Sequence, residues 1–169
     1  VIGDMQGRVL ESNPAIERML GYSKEDLRYK SFSEFTYPDD LMAEWSQIEQ
    51  VIAGQADHYQ IEKRYLRKDG QIIWVRLIGS LTRDRNGNSL TGIALIEDIT
   101  ERKRAEEQRQ RLAQELADRV AELQAVLNAA PIAIWIAHDP QCQVITGNAY
   151  ADQILQAPHG GNISRSALP

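Results

Sequence analysis

Few side chains in this 169-residue sequence are placed to make or break a covalent bond. It holds three histidines and one cysteine. The cysteine, Cys142, leaves no disulfide partner within the chain and fits a reducing compartment. His138-Asp139 has the composition of a histidine–acid pair that accepts a phosphoryl group. Such a histidine stands exposed on a long helix, however, and here Pro140 follows at once, so the segment reads as a strand entering a turn. The adjacent acids Asp39 and Asp40 read as helix capping rather than as an acid–base pair. No glycine-rich phosphate loop, His/Cys metal cluster or Ser/His/Asp arrangement can be argued, so no catalytic residue and no metal site is expected. There remains an apolar set, Trp45, Ile48, Ile73 and Val75, which either is plain core or lines space for a small apolar ligand.

The elements that would position these residues belong to an ordinary globular chain. Apolar residues make up 43% and charged ones 25%, with a formal net charge of −5. That balance argues against nucleic acid or an anionic membrane as a main partner, because phosphate binding needs clustered Lys and Arg. The longest apolar run, 129–137, is interrupted by Pro131 and is far too short to span a bilayer. No signal peptide is visible, and Val1 already lies in an apolar stretch, which suggests a segment cut from a longer protein.

Organisation is set by a repeat. Residues 1–21 and 136–156 align without a gap, with Asp4/Asp139, Gln6/Gln141, Val9/Val144, Asn13/Asn148 and Leu20/Leu155 identical. Each copy reads strand, tight turn at the aspartate, strand, and a helix opening at the asparagine, a favoured N-cap. The equivalents of residues 123–135 would lie before Val1, so the first copy is expected to lack most of its first strand. Beyond it, Ser23 and Asp26 suggest a capping-box-like start to a short helix. Asp39 or Asp40 would cap a longer helix reaching about Ala53, with Leu41, Trp45, Ile48 and Ile52 on its core face. Strands are expected at 58–67, 71–83 and 89–98, joined by the turn-forming stretches 68–70 and 84–88. The fold class is therefore α+β: a five-stranded antiparallel sheet with short helices on one face.

Several short motifs, in this order and spacing, resemble the PAS domain with its C-terminal PAC motif. They are Asn13, Gly21-Tyr22-Ser23, Pro38-Asp39-Asp40, Glu62-Lys63-Arg64-Tyr65, Arg67-Lys68-Asp69-Gly70, Trp74-Val75, Asp84 with Gly87, and the run 98–103. The resemblance covers residues 1–103, and again 131 to the end as a truncated second copy that looks most like PAS segments of bacterial sensor histidine kinases. It implies a PAS fold acting as a sensor or dimerisation module coupled to an output domain. It names no ligand, because one fold hosts many functions. Covalent flavin photochemistry would need a cysteine in an Asn-Cys-Arg motif inside the domain, and Cys142 lies elsewhere. Haem would need an axial histidine on the long helix, which has none; His58 starts a strand. The expectation is no cofactor, with non-covalent flavin or another small apolar ligand as the alternative, and neither a chromophore nor nucleotide turnover.

Between the two copies, residues 100–130 read as one signalling helix of about 30 residues, roughly 45 Å long. Thr100 is its expected N-cap, and Pro131 ends it. Ala105, Leu116 and Leu127 are eleven apart, as are Leu112 and Leu123, with Val120 beside them. An eleven-residue period favours a straight or slightly right-handed supercoil. These residues form the expected seam of a coiled-coil-type parallel homodimer, the alternative being a helix packed on its own domain. Asp98 and Thr100 are the expected signal-relay residues, Asp98 pairing with Arg76 or Lys63 of the sheet. The organisation reads as an N-terminally truncated PAS/PAC domain over 1–99, the helix over 100–130, and the start of a second PAS domain over 131–169. Residues 131–137 would add to the vacant edge of the first sheet, from the same or the partner chain, the alternative being a tail that packs on the partner's tail or is poorly ordered. The chain is expected to be a non-catalytic, cytoplasmic relay to a downstream output domain in the same chain, a histidine kinase by resemblance. The alternative is a ligand-free interaction module regulating a diguanylate cyclase or a transcription factor.

Overall fold

A computed structural model describes residues 1–84, 89–158 and 160–164. The chain divides into two compact units after Glu106. In the first, strands β1 (Ile2–Gly3) and β2 (Val9–Glu11) precede helices α1 (Pro14–Leu20) and α2 (Lys24–Leu27). Short 3-10 turns at Phe32–Glu34 and Pro38–Asp40 lead into α3 (Leu41–Ile52), followed by β3 (His58–Leu66), β4 (Ile72–Arg83) and β5 (Ser89–Asp98). The five strands form one antiparallel sheet in the order β2-β1-β5-β4-β3. This is the expected architecture; β1 is two residues long, and its repeat-equivalent Trp135–Ala137 is three.

Local chemistry accounts for the boundaries. Asn13 Oδ1 accepts from Ile16 N at 3.1 Å, Pro14 opens α1, and Gly21 closes it at φ +74°. Ser23 caps α2 through Asp26 N, but the reciprocal capping box lies at Ser31 and Glu34. The β3–β4 turn uses Gly70 at φ +82°, with Asp69 Oδ1 accepting from Gln71 N at 3.0 Å. The expected turn at 84–88 falls mostly outside the described residues. Inward positions alternate along the strands: Tyr65 and Ile73 pair, as do Lys63 and Val75, and Ile61 and Leu77. They face Leu20, Leu27 and Phe35, and Phe35 meets Tyr65 edge-on at 5.1 Å. Each large apolar side chain buried here stabilises by about 1.5–3 kcal/mol.

Two expectations for α3 need correction. Neither Asp39 nor Asp40 caps it by a side-chain bond. Asp40 instead accepts from Arg64 N at 2.7 Å, Nε at 3.0 Å and Nη2 at 2.7 Å, tying the start of α3 to β3. The most deeply buried residues of the helix are Glu44 and Val51, whereas Trp45 and Ile52 are only partly covered. The face toward the sheet is thus turned from the one that hydrophobicity alone selects.

In the second unit, β6 (Trp135–Ala137) and β7 (Ile145–Gly147) form a hairpin leading into α5 (Ala149–Leu155). The repeat is structural. Asp4 Oδ1 accepts from the amides two and four residues on, Gln6 and Arg8, and Asp139 Oδ1 does the same with Gln141 and Gln143. Asn148 caps α5 through Ala151 N as Asn13 caps α1. The helix α4 (Thr100–Ala129) is continuous for 30 residues and stops just before Pro131. Among the described residues no helix is long and apolar enough to cross a membrane.

Candidate functional site

The inner face of the sheet carries small residues where three strands lie side by side. Gly79 pairs with Tyr59 on one side and Ala94 on the other, and Gly92 lies across from Leu81. A Cβ at Gly79 would overlap the Tyr59 ring, so glycine is what lets that ring lie flat on the sheet. Between these strands and α3 there is a cavity of about 120 Å³. Trp45, Ile48, Val51, Leu77 and Ile96 supply apolar wall. Of the four residues expected to line it, Trp45 and Ile48 do so. Ile73 and Val75 do not: they are buried core beneath α1 and α2, further along β4.

Two carboxylates stand in that wall, Asp4, which is held by Arg8 at 2.7 Å, and Glu44. Glu44 is 1% exposed, and its Oε2 is paired with the ammonium of Lys63, itself fully buried. Thr36 Oγ1 joins them, accepting from Lys63 Nζ at 3.0 Å and lying 3.3 Å from Glu44 Oε2. Lys63 Nζ also lies 4.6 Å from the Tyr65 ring centroid and 5.4 Å from that of Phe32. Burial dominates both titrations: it pushes Lys63 down to about 8 and raises Glu44, against the opposing attraction within the pair. Sequence reasoning missed this cluster. Its signal was Lys63 lying in phase with Tyr59, Ile61 and Tyr65 on the inward side of β3.

The junction of β5 and α4 differs from expectation. Asp98 pairs with neither proposed partner: Arg76 meets Glu97 at 2.6 Å, and Lys63 is taken by Glu44. The pleat explains this, because Asp98 is in register with Val75 and so faces opposite to Arg76. Asp98 Oδ1 instead accepts from Thr100 N at 2.9 Å, doing the capping expected of Thr100. The Thr100 hydroxyl accepts from Trp74 N at 3.0 Å, and Ile99 N donates to Trp74 O at 2.9 Å. The ion pairs between sheet and helix come from Glu62, to Arg102 at 2.5 Å and Lys103 at 2.8 Å. Replacing Thr100 with Val keeps the shape but leaves Trp74 N without its acceptor. Urea denaturation should show a loss of about 1–3 kcal/mol; an unchanged midpoint would mean the hydroxyl contributes nothing to holding the junction.

Along α4, Leu112, Leu116, Val120 and Leu123 are exposed, as is Ala105, while Leu127 is partly covered. Val126, 64% exposed, extends this apolar row and was not anticipated. No cluster of metal-ligating side chains occurs among the described residues.

Residues 9–95, just over half of the chain, match the PAS fold family. Among characterised proteins, the chain is 42% identical over 107 residues to the probable diguanylate cyclase DgcE of Escherichia coli, covering 63% of this chain and 10% of that one. It is 30% identical over 139 residues to the sensor histidine kinase TmoS of Ectopseudomonas mendocina, covering 82% and 14% respectively. The chain thus spans only a small part of the length of either relative. Among solved structures, a PAS domain from Colwellia psychrerythraea superposes with a TM-score of 0.56 at 27% identity, over 60% of this chain and 85% of that one. A sensory box histidine kinase/response regulator from Burkholderia thailandensis gives 0.57 at 21% identity over 69% and 88%, a likeness of fold. Sheet order, helix placement and these matches agree: the chain belongs to the PAS fold family and carries a PAS sensor domain homologous to segments of sensor histidine kinases and of a diguanylate cyclase.

Proposed function

We propose that this chain is the non-catalytic sensory and dimerising segment of a cytoplasmic signalling protein, relaying the state of its PAS domain through α4 to an output domain. The observation that carries this reading is the junction: the helix leaves β5 bonded to Trp74 and Glu62, then presents an apolar row to solvent. A row of that kind suits a parallel homodimer, and a paired helix whose register or rotation has two settings transmits a signal without long-range unfolding. Residues 131–164, with their repeated hairpin and capped helix, fit the start of a second PAS domain. A histidine kinase output is favoured because the similarity to TmoS covers 82% of this chain, against 63% for DgcE. The higher identity to DgcE favours a diguanylate cyclase as the second reading.

The domain works without a prosthetic group in this reading. A cavity of about 120 Å³ is comparable to one that admits a single benzene ring, and it would not hold the three fused rings of a flavin. Any ligand is therefore small. Deleting Ala117 from the parent protein tests the relay, because it rotates everything downstream by about 100° relative to the sensor. Kinase or cyclase output should lose its normal regulation and lock on or off. Output that remains normally regulated would overturn relay through the helix.

A further inference from the structure

Both contacts of Glu44 converge on Oε2, and among the described residues Oε1 has no hydrogen-bond partner. Glu44 nevertheless belongs to the cavity wall and is 1% exposed. The free oxygen is thus an acceptor held inside an apolar cavity by Lys63 and Thr36. We propose that Glu44 is the specificity-determining residue of this cavity, selecting a neutral monocyclic molecule with one O–H or N–H donor, in the simplest case a phenol. The assignment rests on the reading of the cavity as the domain's ligand site.

Size and charge define the class. One ring fits the volume, and Trp45, Ile48, Val51, Leu77 and Ile96 give it apolar contact. A donor on the ring makes a charge-assisted hydrogen bond to Oε1. A bare hydrocarbon would strip water from that oxygen and offer nothing in return. An anion such as benzoate meets the carboxylate head-on, while the Lys63 ammonium is already committed to Glu44, Thr36 and the aromatic faces. An ammonium ligand would bury a second positive charge near Lys63.

Titration calorimetry on the full chain with phenol, toluene and benzoate tests the assignment, repeated on the double variant Glu44→Leu/Lys63→Met. The parent should bind phenol at least tenfold more tightly than toluene and show no heat with benzoate. The double variant should prefer toluene. Equal binding of phenol and toluene by the parent overturns the role of Glu44 while leaving the cavity a ligand site. Failure of the parent to bind either overturns the ligand-site reading itself. A phenol preference that survives in the double variant would transfer the selection to the Tyr59 hydroxyl, which lies over Gly79 in the same wall. The two parent comparisons need no variant, so they decide the matter even if the double variant fails to fold.

Discussion

Replacing either Glu44 or Lys63 alone by an apolar residue of similar size should cost the domain about 3–5 kcal/mol, whereas replacing both together should leave it as stable as the parent or more so. Each single change leaves a charge without its partner where it is almost wholly shielded from bulk solvent, since Lys63 is 0% and Glu44 1% exposed. The double change removes both desolvation penalties with the attraction. Titration supports the sign. Lys63 is pushed down to about 8 from an ordinary 10.5, mainly by burial. Between those values the unfolded chain keeps the proton that the folded chain has released, so this group's contribution to stability rises with pH across the window; below about 8 the burial penalty acts in full. Glu44 is raised from 4.5, again mainly by burial, so its contribution falls as pH climbs past its ordinary value. Both directions say that the ionised forms are disfavoured where they sit. Urea midpoints at pH 7 and pH 9.5 check the prediction, at unchanged slope. Single variants that cost under 1 kcal/mol, or a double variant that costs the sum of the singles, would refute it.

A pair that is neutral or costly for stability needs another reason to be there, and the cavity gives one. Thr36 lies at the end of a 3-10 turn, Glu44 on α3 and Lys63 on β3, so the cluster joins the ligand-sized space to the strand that also bears Glu62. Lys63 and Glu62 are successive residues of β3, one facing the cavity side and the other facing Arg102 and Lys103 of α4. The buried cluster and the ion pairs at the root of the helix thus meet at adjacent residues of β3.

The parts of this arrangement that sequence reveals are those written in short-range patterns. Alternation with the Asp69-Gly70 turn places β3 and β4 to within a residue. Thr100 and Pro131 bracket α4, and the Asp4/Asp139 and Asn13/Asn148 identities correspond to the same hydrogen bonds in both copies. What escaped depends on partners distant in sequence. Glu44 looks like a solvated helix residue until Lys63 is seen to lie inward, and Trp45 and Ile52 outweigh it in any hydrophobic reading of α3. Ile73 and Val75 alternate correctly as core, but nothing local in β4 shows that the cavity wall begins only at Leu77. Asp98 was given the wrong partners because its facing depends on register with β4, which no local motif encodes.

The other large effect is expected on α4. The parent chain should be a dimer, and Leu116→Asp/Leu123→Asp should make it a monomer at the same concentration with the PAS sheet still folded. Leu116 is 66% and Leu123 63% exposed, while Leu112 and Val120 on the same side are 56% and 45% exposed. A second helix would bury them at about 1.5–3 kcal/mol for each large side chain. Two such residues per chain are lost in the variant, so about 6 kcal/mol or more leaves the dimer, and the four aspartates would face one another across the seam. The sheet should be untouched, because among the described residues its hydrogen bonds and ion pairs to the helix reach no further than Lys103. Gln114→Asp/Ala121→Asp is the control: it places two aspartates at the same spacing on the opposite side of the helix, where a dimer leaves them in water. Sedimentation equilibrium at high micromolar concentration decides the matter, with circular dichroism reporting the fold. A monomeric parent, or a control variant that dissociates as readily as the Leu116/Leu123 one, would leave α4 without the seam that relay through a paired helix requires.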